Sequence, residues 1–328
     1  MRSGIMKQAE RSGASVWREF LGLHVEYNAF RKALSDIHQL RKHGKIGERQ
    51  ARCAFFFGPT GAGKTRCIDT YVETENAKAR ARGARIDPVR KIEIPTECTP
   101  KALNGLILSE LGTPMASRES EAESTIRASN GIVYQGWELL ILDEAQHLLR
   151  HNSAKIAFKV ADHWKRLLDS AGCPILIAGL VQIEEILHEN PQLKRRSAPS
   201  IRLPALGFGD QTERNNFRAI LSKFDEALPF DRPAELHQVD LARRIHLATG
   251  GAIGELSRLL YDASLLAMRK GARTLSQAHL AEIFEDYRLS GDSKKANPFT
   301  LQVLPESSPA RALGHGMQQR SPSRRRRG

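Results

Sequence analysis

One glycine-rich segment, Gly58-Pro-Thr-Gly-Ala-Gly-Lys-Thr65, constrains the fold of this chain more than any other part of its sequence. It fits the pattern G-x-x-x-x-G-K-[ST] at every position. The apolar run Ala54–Phe57 before it is typical of a buried strand, and a helical pattern follows from Thr65 to about Ala81. A chance match in a glycine-rich turn is the alternative, and this flanking strand and helix argue against it. The order strand, glycine turn, helix predicts a phosphate-binding loop in an α/β fold.

Each residue type in this loop has a physical role in holding the phosphates of a nucleotide. Glycines allow backbone angles that bring amide groups around a phosphate, and the N-terminus of the following helix favours negative charge. We expect Lys64 to reach the β- and γ-phosphates and Thr65 to give its hydroxyl to Mg²⁺. The cofactors predicted are therefore ATP and Mg²⁺. The predicted nucleotide-binding residues of the loop are Gly58, Pro59, Thr60, Gly61, Ala62, Gly63, Lys64 and Thr65.

A second apolar run, Leu139–Leu142, ends in the acidic pair Asp143-Glu144. An acid after a strand commonly caps the next helix, but its combination with the phosphate loop favours a catalytic interpretation. Asp143 is then expected to hold Mg²⁺, and Glu144 to orient and activate the attacking water. The adjacent acids indicate hydrolysis rather than phosphate transfer by a kinase. Helicases share this pair, so it leaves the class of ATPase open.

Apolar runs alternate with helical patterns up to about residue 205. The runs predicted to be strands are Ala54–Phe57, Lys91–Pro95, Glu138–Asp143 and Pro174–Gly179. Thr99 and Pro100 are typical of a helix start. Another helix is predicted to bury one apolar face, formed by Phe158, Ala161, Trp164 and Leu168. This alternation favours a parallel sheet with helices on both faces.

Four regions are predicted along the chain. Residues 1–45 form an N-terminal helical arm with a helix from about Val16 to Leu40, and residues 46–205 form the α/β nucleotide-binding core. Residues 206–290 form a smaller, all-helical lid domain, and residues 291–328 form a basic tail to which no structure is assigned. The helices predicted in the lid are Thr212–Phe224, Val239–Thr249, Ile253–Lys270 and Ser276–Leu289.

Basic charge is concentrated at the two ends of the chain. Residues 1–50 hold ten basic and five acidic side chains, and residues 291–328 hold eight basic and two acidic ones. The whole chain has 50 basic and 37 acidic side chains. This pattern predicts an anionic partner, with nucleic acid the first choice and improved solubility the alternative. Aromatic residues make up only 6% and are not interleaved with the charges, so duplex DNA is favoured over single strands.

Candidate DNA-binding residues cluster between positions 78 and 90. They are Lys78, Arg80, Arg82, Arg85 and Arg90, and a further basic run is Arg324–Arg327. Lys and Arg provide affinity for phosphates without reading sequence. The alternative for this cluster is an ordinary solvated helix face.

Other features exclude several classes of protein. No apolar stretch approaches the roughly 18 residues of a membrane span, and the first residues lack the apolar centre of a signal peptide. The four cysteines show no CxxC or zinc-site spacing and are typical of reduced thiols. We therefore expect a cytoplasmic protein with no membrane partner. His147, His151 and His163 lack a metal-site pattern, and Trp137 and Trp164 are expected in the core.

Taken together, the phosphate loop, the Asp143-Glu144 pair and the helical C-terminal region resemble the AAA+ ATPases. More narrowly, the chain resembles the TniB group of transposition ATPases, relatives of TnsC and more distantly of MuB. The resemblance covers roughly residues 20–300. Its most similar stretches are Leu139–Leu149, Pro174–Leu180, Asn190–Arg196, Thr249–Leu260 and Asn297–Phe299.

The resemblance implies a P-loop AAA+ core and an assembly of many copies. Such proteins bind ATP between neighbouring subunits, form rings or helical filaments on double-stranded DNA, and present that DNA to a transposase. A target-selection adaptor is a possible further partner, and hydrolysis lets the assembly fall apart. By position, Arg195 or Arg196 would be the finger that completes a neighbour's site. The alternative is that this pair lines a surface or a DNA-facing patch.

Two departures from the family pattern predict slow, switch-like hydrolysis. The strand ending at Gly179 lacks the polar residue that many AAA+ proteins use to position water, and Gln182 or Thr60 could substitute. Gly254 stands where many relatives carry an arginine, and Arg258 could contact the nucleotide instead. The competing functions are a helicase-loader ATPase and a secretion or envelope ATPase that does not act on DNA.

Overall fold

A computed structural model describes residues 27–46, 50–149, 154–183, 190–290 and 296–304. The described residues divide between positions 205 and 206 into two compact units. Within these ranges, no helix combines the length and the apolar character that crossing a bilayer requires.

The first unit contains a five-stranded sheet in which every neighbouring pair is parallel. Its strands are β3 (Cys53–Phe57), β4 (Val89–Glu93), β5 (Leu139–Asp143), β6 (Ile175–Gly179) and β7 (Ile201–Arg202), and they lie in the order β4-β5-β6-β3-β7. A short antiparallel pair, β1 (Lys45–Ile46) and β2 (Gln50–Ala51), precedes the sheet. The predicted parallel sheet is therefore confirmed.

Helices cover both faces of this sheet, as alternate residues of β3 demonstrate. Phe55 packs in one apolar cluster with Trp164, while Phe56 packs in a second cluster with Ile37 and Ile68. Successive side chains of a strand point to opposite faces, so two separate clusters mean two covered faces. The helices of this unit are α1 (Asn28–His43), α2 (Lys64–Ala81), α3 (Pro100–Glu110), α4 (Glu121–Gln135), α5 (Ala154–Ala171) and α6 (Pro191–Arg196).

Several local predictions for this unit need correction. Phe158, expected on the buried face of α5, is 51% exposed, whereas Trp164 of the same helix is fully buried. Strand β4 begins at Val89, two residues before the predicted Lys91. Helix α4 was not predicted, although Ser120 and Glu123 form a capping box at its start. The first part of the predicted arm, including Val16, lies outside the described residues.

The second unit is helical, as predicted. Its helices are α7 (Gln211–Ala227), α8 (Val239–Thr249), α9 (Ile253–Arg269) and α10 (Gln277–Ser290). Residues 296–304, to which the sequence analysis assigned no structure, also belong to this unit. The Arg244 guanidinium donates to the carbonyl oxygens of Pro298 at 2.6 Å and Leu301 at 2.9 Å. These buried hydrogen bonds explain why this short segment is ordered, and the rest of the predicted tail lies outside the described residues.

Candidate nucleotide-binding site

The phosphate loop joins β3 to α2, and its glycines are required for two separate reasons of geometry. Gly61 and Gly63 have φ angles of 73° and 92°, which L side chains rarely adopt. Gly58 lies so close to the residue after β7 that a Cβ there would stand 2.5 Å from the Leu203 carbonyl oxygen. The Leu203 amide in turn donates to the Phe57 carbonyl at 2.8 Å. The loop is therefore shaped by its own turn and by the neighbouring strand.

Lys64 is the first residue of α2 and folds back over this loop. Its ammonium donates to the carbonyl oxygens of Gly58 at 2.8 Å and Pro59 at 3.1 Å. The residue is only 8% exposed, and burial lowers the pKa of Lys64. The charges of Glu144 and Asp143 oppose that lowering of the pKa, with Glu144 the stronger. The acidic pair and the lysine therefore share one electrostatic environment.

Asp143 is the last residue of β5 and is 1% exposed. One carboxylate oxygen accepts from the Glu144 amide at 3.0 Å, while the other, Oδ2, is buried without a hydrogen bond. Burial raises the pKa of Asp143, and the Lys91 charge and the Thr65 hydroxyl act against this rise. Carboxylate and hydroxyl oxygens are the ligands that Mg²⁺ takes, and Oδ2 accepts no hydrogen bond, so these residues fit the cation.

Lys91 is a member of this site that the sequence analysis missed. Its ammonium lies 2.6 Å from the Asp69 carboxylate and 3.5 Å from Oδ2 of Asp143. Lys91 lies on β4, which runs beside β5, so this lysine is held next to the acidic pair by the parallel pairing. The sequence signal that could have revealed Lys91 is its charge, which is unusual within a predicted strand.

Glu144 has a left-handed backbone, with φ 56° and ψ 37°, which is unfavourable for a non-glycine residue. It is followed by a short 3₁₀ turn, Ala145–Leu148. The Gln146 side chain in this turn donates to the Glu144 carboxylate, and its carbonyl oxygen accepts from the Leu180 amide at 3.2 Å. Gln146 was also missed. Of the two substitutes suggested for the absent polar residue, Thr60 is exposed in the loop and the Gln182 side chain lies outside the described part.

The two candidate finger arginines have different environments. Both end helix α6, whose Asn190 cap accepts from two backbone amides. Arg196 forms an ion pair with Asp169 of helix α5. Arg195 is exposed, and no ion pair to it is found among the described residues. Only Arg195 is therefore available to a neighbouring molecule without first breaking a contact.

Arg258, the suggested nucleotide contact in the second unit, already has partners within that unit. Its guanidinium lies over the Tyr287 ring, 4.6 Å from the centroid, and 4.0 Å from the Asp262 carboxylate. The side chain is 63% exposed, so these contacts leave it accessible. The structure gives Arg258 a packing role and leaves its nucleotide contact as a prediction.

The five candidate DNA-binding residues also divide into two groups. Lys78 pairs with Glu75 at 2.7 Å, and Arg80 donates from Nε and Nη2 to the two carboxylate oxygens of Asp87. Arg90 lies over the Trp137 ring, with Glu110 at 3.9 Å. Arg82 and Arg85 are exposed and have no ion pair among the described residues. The run Arg324–Arg327 lies outside those residues.

The structure describes two of the three histidines and both tryptophans singled out in the sequence. A ring nitrogen of His147 is 2.7 Å from the Ile94 carbonyl oxygen, and His163 is 1% exposed, with burial lowering its pKa to about 4. His151 lies outside the described residues. Trp137 and Trp164 are buried, as predicted.

The sheet order, the phosphate loop and the helical second unit together define a protein with the AAA+ ATPase fold. The chain belongs to the bacterial TniB protein family, whose profile matches residues 22–205. No curated protein shows a significant sequence match.

Solved structures share this fold at low sequence identity. Cdc6p from Pyrobaculum aerophilum has a TM-score of 0.58 and 17% identity, with 81% of this chain and 69% of that one covered. The ORC2 protein of Aeropyrum pernix, in ADPNP–ADP complexes, has a TM-score of 0.55 and 16% identity, covering 80% and 67%. The ORC1 protein of the same organism, in complex with DNA, has a TM-score of 0.55 and 15% identity, covering 79% and 64%.

Proposed function

We propose that this protein is an ATP-dependent, DNA-binding regulator of transposition. It assembles on duplex DNA with ATP, recruits or activates a transposase there, and leaves the DNA after slow hydrolysis. The observation that carries the proposal is the convergence of Lys64, Asp143 and Glu144 in one electrostatic environment, in a chain of the TniB family.

The nucleotide chemistry follows from the residues of the site. Lys64 and the loop amides would hold the phosphates, while Thr65 and Asp143 would hold Mg²⁺. Bound Mg²⁺ would neutralise part of the charge on the phosphates. Glu144 would take a proton from the water that attacks the γ-phosphorus, as the bond to the ADP oxygen breaks. Solved structures of ORC2 with ADPNP and ADP support nucleotide binding by this fold.

Assembly of several copies is supported by the free state of Arg195. An arginine that completes the site of a neighbour must reach out from its own subunit, and Arg196 is already paired with Asp169. We therefore assign the finger role to Arg195, and propose rings or helical filaments as the active form.

DNA binding is supported by the exposed charges Arg82 and Arg85 and by the basic ends of the chain. The ORC1 protein of Aeropyrum pernix and the ORC of Drosophila were solved bound to DNA. Non-specific contact with phosphates suits a protein that accepts many target sites. A cytoplasmic location, a transposase partner and a target-selection adaptor belong to the same proposal.

Electron microscopy of the purified protein with duplex DNA, with and without a slowly hydrolysed ATP analogue, tests the proposal. Rings or filaments that need both ligands are the expected result. Oligomers that form with nucleotide and ignore DNA would overturn it in favour of a secretion-type ATPase. A transposase integration assay then separates the two functions. A transposition regulator should increase integration into the DNA that it binds, whereas a helicase loader should not.

A further inference from the structure

We propose that Gln146 is the positioning residue for Glu144, and that it takes the place of the polar side chain missing from the end of β6. This inference rests on the proposed ATPase function of the site. Gln146 contacts both Glu144 of the acidic pair and Leu180, the residue after β6.

Two hydrogen bonds of opposite direction fix the Gln146 side chain. An amide side chain has one donor end and one acceptor end, so its orientation is fixed when both ends are used. The Nε2 group of Gln146 donates to Oε2 of Glu144, and its Oε1 accepts from the Leu180 amide at 3.2 Å. One side chain therefore connects the residue after β5 with the residue after β6.

Gly179 leaves the space that the end of the Gln146 side chain occupies. A Cβ at this position would stand 2.4 Å from Oε1 of Gln146, closer than real Cβ contacts allow. Gly179 is not among the glycines with positive φ, so its backbone does not require glycine. Position 179 therefore has to be glycine because the end of the Gln146 side chain fills the space where a Cβ would stand.

The turn that carries Gln146 is fixed on its other side as well. A ring nitrogen of His147 lies 2.7 Å from the carbonyl oxygen of Ile94, which follows β4, and the His147 amide donates to the Glu144 carbonyl at 3.0 Å. The turn is therefore attached to the ends of both strands that flank β5.

The direction of the Glu144 carboxylate agrees with a productive position. Among the charges that oppose the lowered pKa of Lys64, that of Glu144 is the largest, so the carboxylate lies within electrostatic reach of this lysine. Gln146 holds this orientation. Without Gln146 the carboxylate is free to rotate, the attacking water is poorly aligned, and hydrolysis slows while the phosphate contacts of Lys64 stay in place.

The test measures the rate constant for ATP hydrolysis and the ATP affinity of Gln146→Ala and Gly179→Ala. Each variant should lose about ten- to a hundredfold in kcat with ATP affinity within about twofold of the parent. The double variant should be no slower than the slower single variant, because the Gln146 amide that the new methyl group would displace is then already absent. Gln135→Ala is the matched control, since that side chain also makes two hydrogen bonds but lies on α4.

Three results would overturn the inference: parental or faster hydrolysis by Gln146→Ala, an additive loss in the double variant, or a loss confined to ATP affinity. Gly179→Ala keeps the test open if Gln146→Ala fails to fold, as judged by thermal melting. Glu144→Gln measured in parallel separates the two proposals. An inactive Glu144→Gln with an unimpaired Gln146→Ala rejects only this inference, whereas a parent chain without ATPase activity rejects the proposed function.

Discussion

The two ends of helix α2 carry positive charge in opposite ways. At its N-terminal end, Lys64 is buried and donates to backbone carbonyl oxygens, in the same electrostatic environment as the buried Asp143. At its C-terminal end, Lys78 and Arg80 are exposed and already paired with Glu75 and Asp87. Cations are favoured at a helix C-terminus by the backbone alone, so the second pair needs no ligand to explain it.

This difference separates a site from a charged surface. Burying charges is costly unless opposite charges compensate them, so a buried lysine and a buried aspartate in one electrostatic environment distinguish this end of α2 from an ordinary charged surface. Exposed ion pairs cost little and contribute little. Basic residues are therefore strong evidence of a ligand site at the N-terminal end of α2, and only weak evidence of one at its C-terminal end.

The largest effect is expected for Glu144→Gln. Because an amide cannot accept the proton of the attacking water, hydrolysis should fall by about 10²- to 10⁴-fold while ATP still binds. Phosphate release and nucleotide titration measure the two quantities, and the complexes with DNA should persist. Glu73→Gln, on the exposed surface of α2, is the control. Parental hydrolysis by Glu144→Gln would remove this residue as the base.

Lys64→Ala should weaken ATP binding by about a hundredfold or more, because an ammonium on the phosphates is lost from a buried site. Titration with a fluorescent nucleotide measures the affinity. Stable DNA binding should disappear with it if assembly needs the nucleotide. Lys223→Ala, an exposed lysine of α7, should match the parent. Unchanged ATP affinity in Lys64→Ala would place this residue outside the site.

The arginine pair should separate activity from stability. Arg195→Ala should lower the DNA-stimulated ATPase rate of the assembly by about tenfold or more, with an unchanged melting temperature. Arg196→Ala should lower the melting temperature by about 2–4 °C, because Asp169 loses its partner. Single-turnover rates and thermal melts distinguish the variants. The reverse pattern would assign the finger to Arg196.

The smallest effects concern the far end of α2. The double variant Arg82→Ala, Arg85→Ala should bind duplex DNA a few fold more weakly and reduce the salt-dependence slope by about two. The double variant Lys78→Ala, Arg80→Ala should change the DNA affinity and the salt-dependence slope less, because Glu75 and Asp87 already neutralise these two cations. Fluorescence anisotropy at several salt concentrations measures the slopes. Equal losses in the two double variants would erase the distinction between paired and unpaired charges.

The parts of the fold that local sequence determines were predicted well. The phosphate loop, strands β3, β5 and β6, and the helices of the second unit follow from turn residues and from short apolar patterns. Helix α4 was missed because its sequence is largely polar, although its capping box at Ser120 was readable. Phe158 has helical spacing but lies outside the buried face, which only the packing of α5 decides.

The parts of the site that depend on distant contacts were not predictable in the same way. Lys91 reaches Asp143 only because β4 pairs with β5, and 52 positions separate the two residues in sequence. Gln146 reaches Leu180 only because β5 pairs with β6. Sequence reasoning noticed that Gly179 lacks a side chain, but the residue that fills its space lies on another strand connection.

The tight contact between Gly58 and Leu203 gives the phosphate loop a mechanical role. Leu203 is hydrogen-bonded to the residue before the loop, and the chain passes into the helical unit at Leu206, only three residues later. The route from the phosphate loop to the start of the second unit is therefore short, because it runs through this contact and then through only three residues of chain. A displacement of the loop would be passed on to Leu203, because close-packed backbone deforms little.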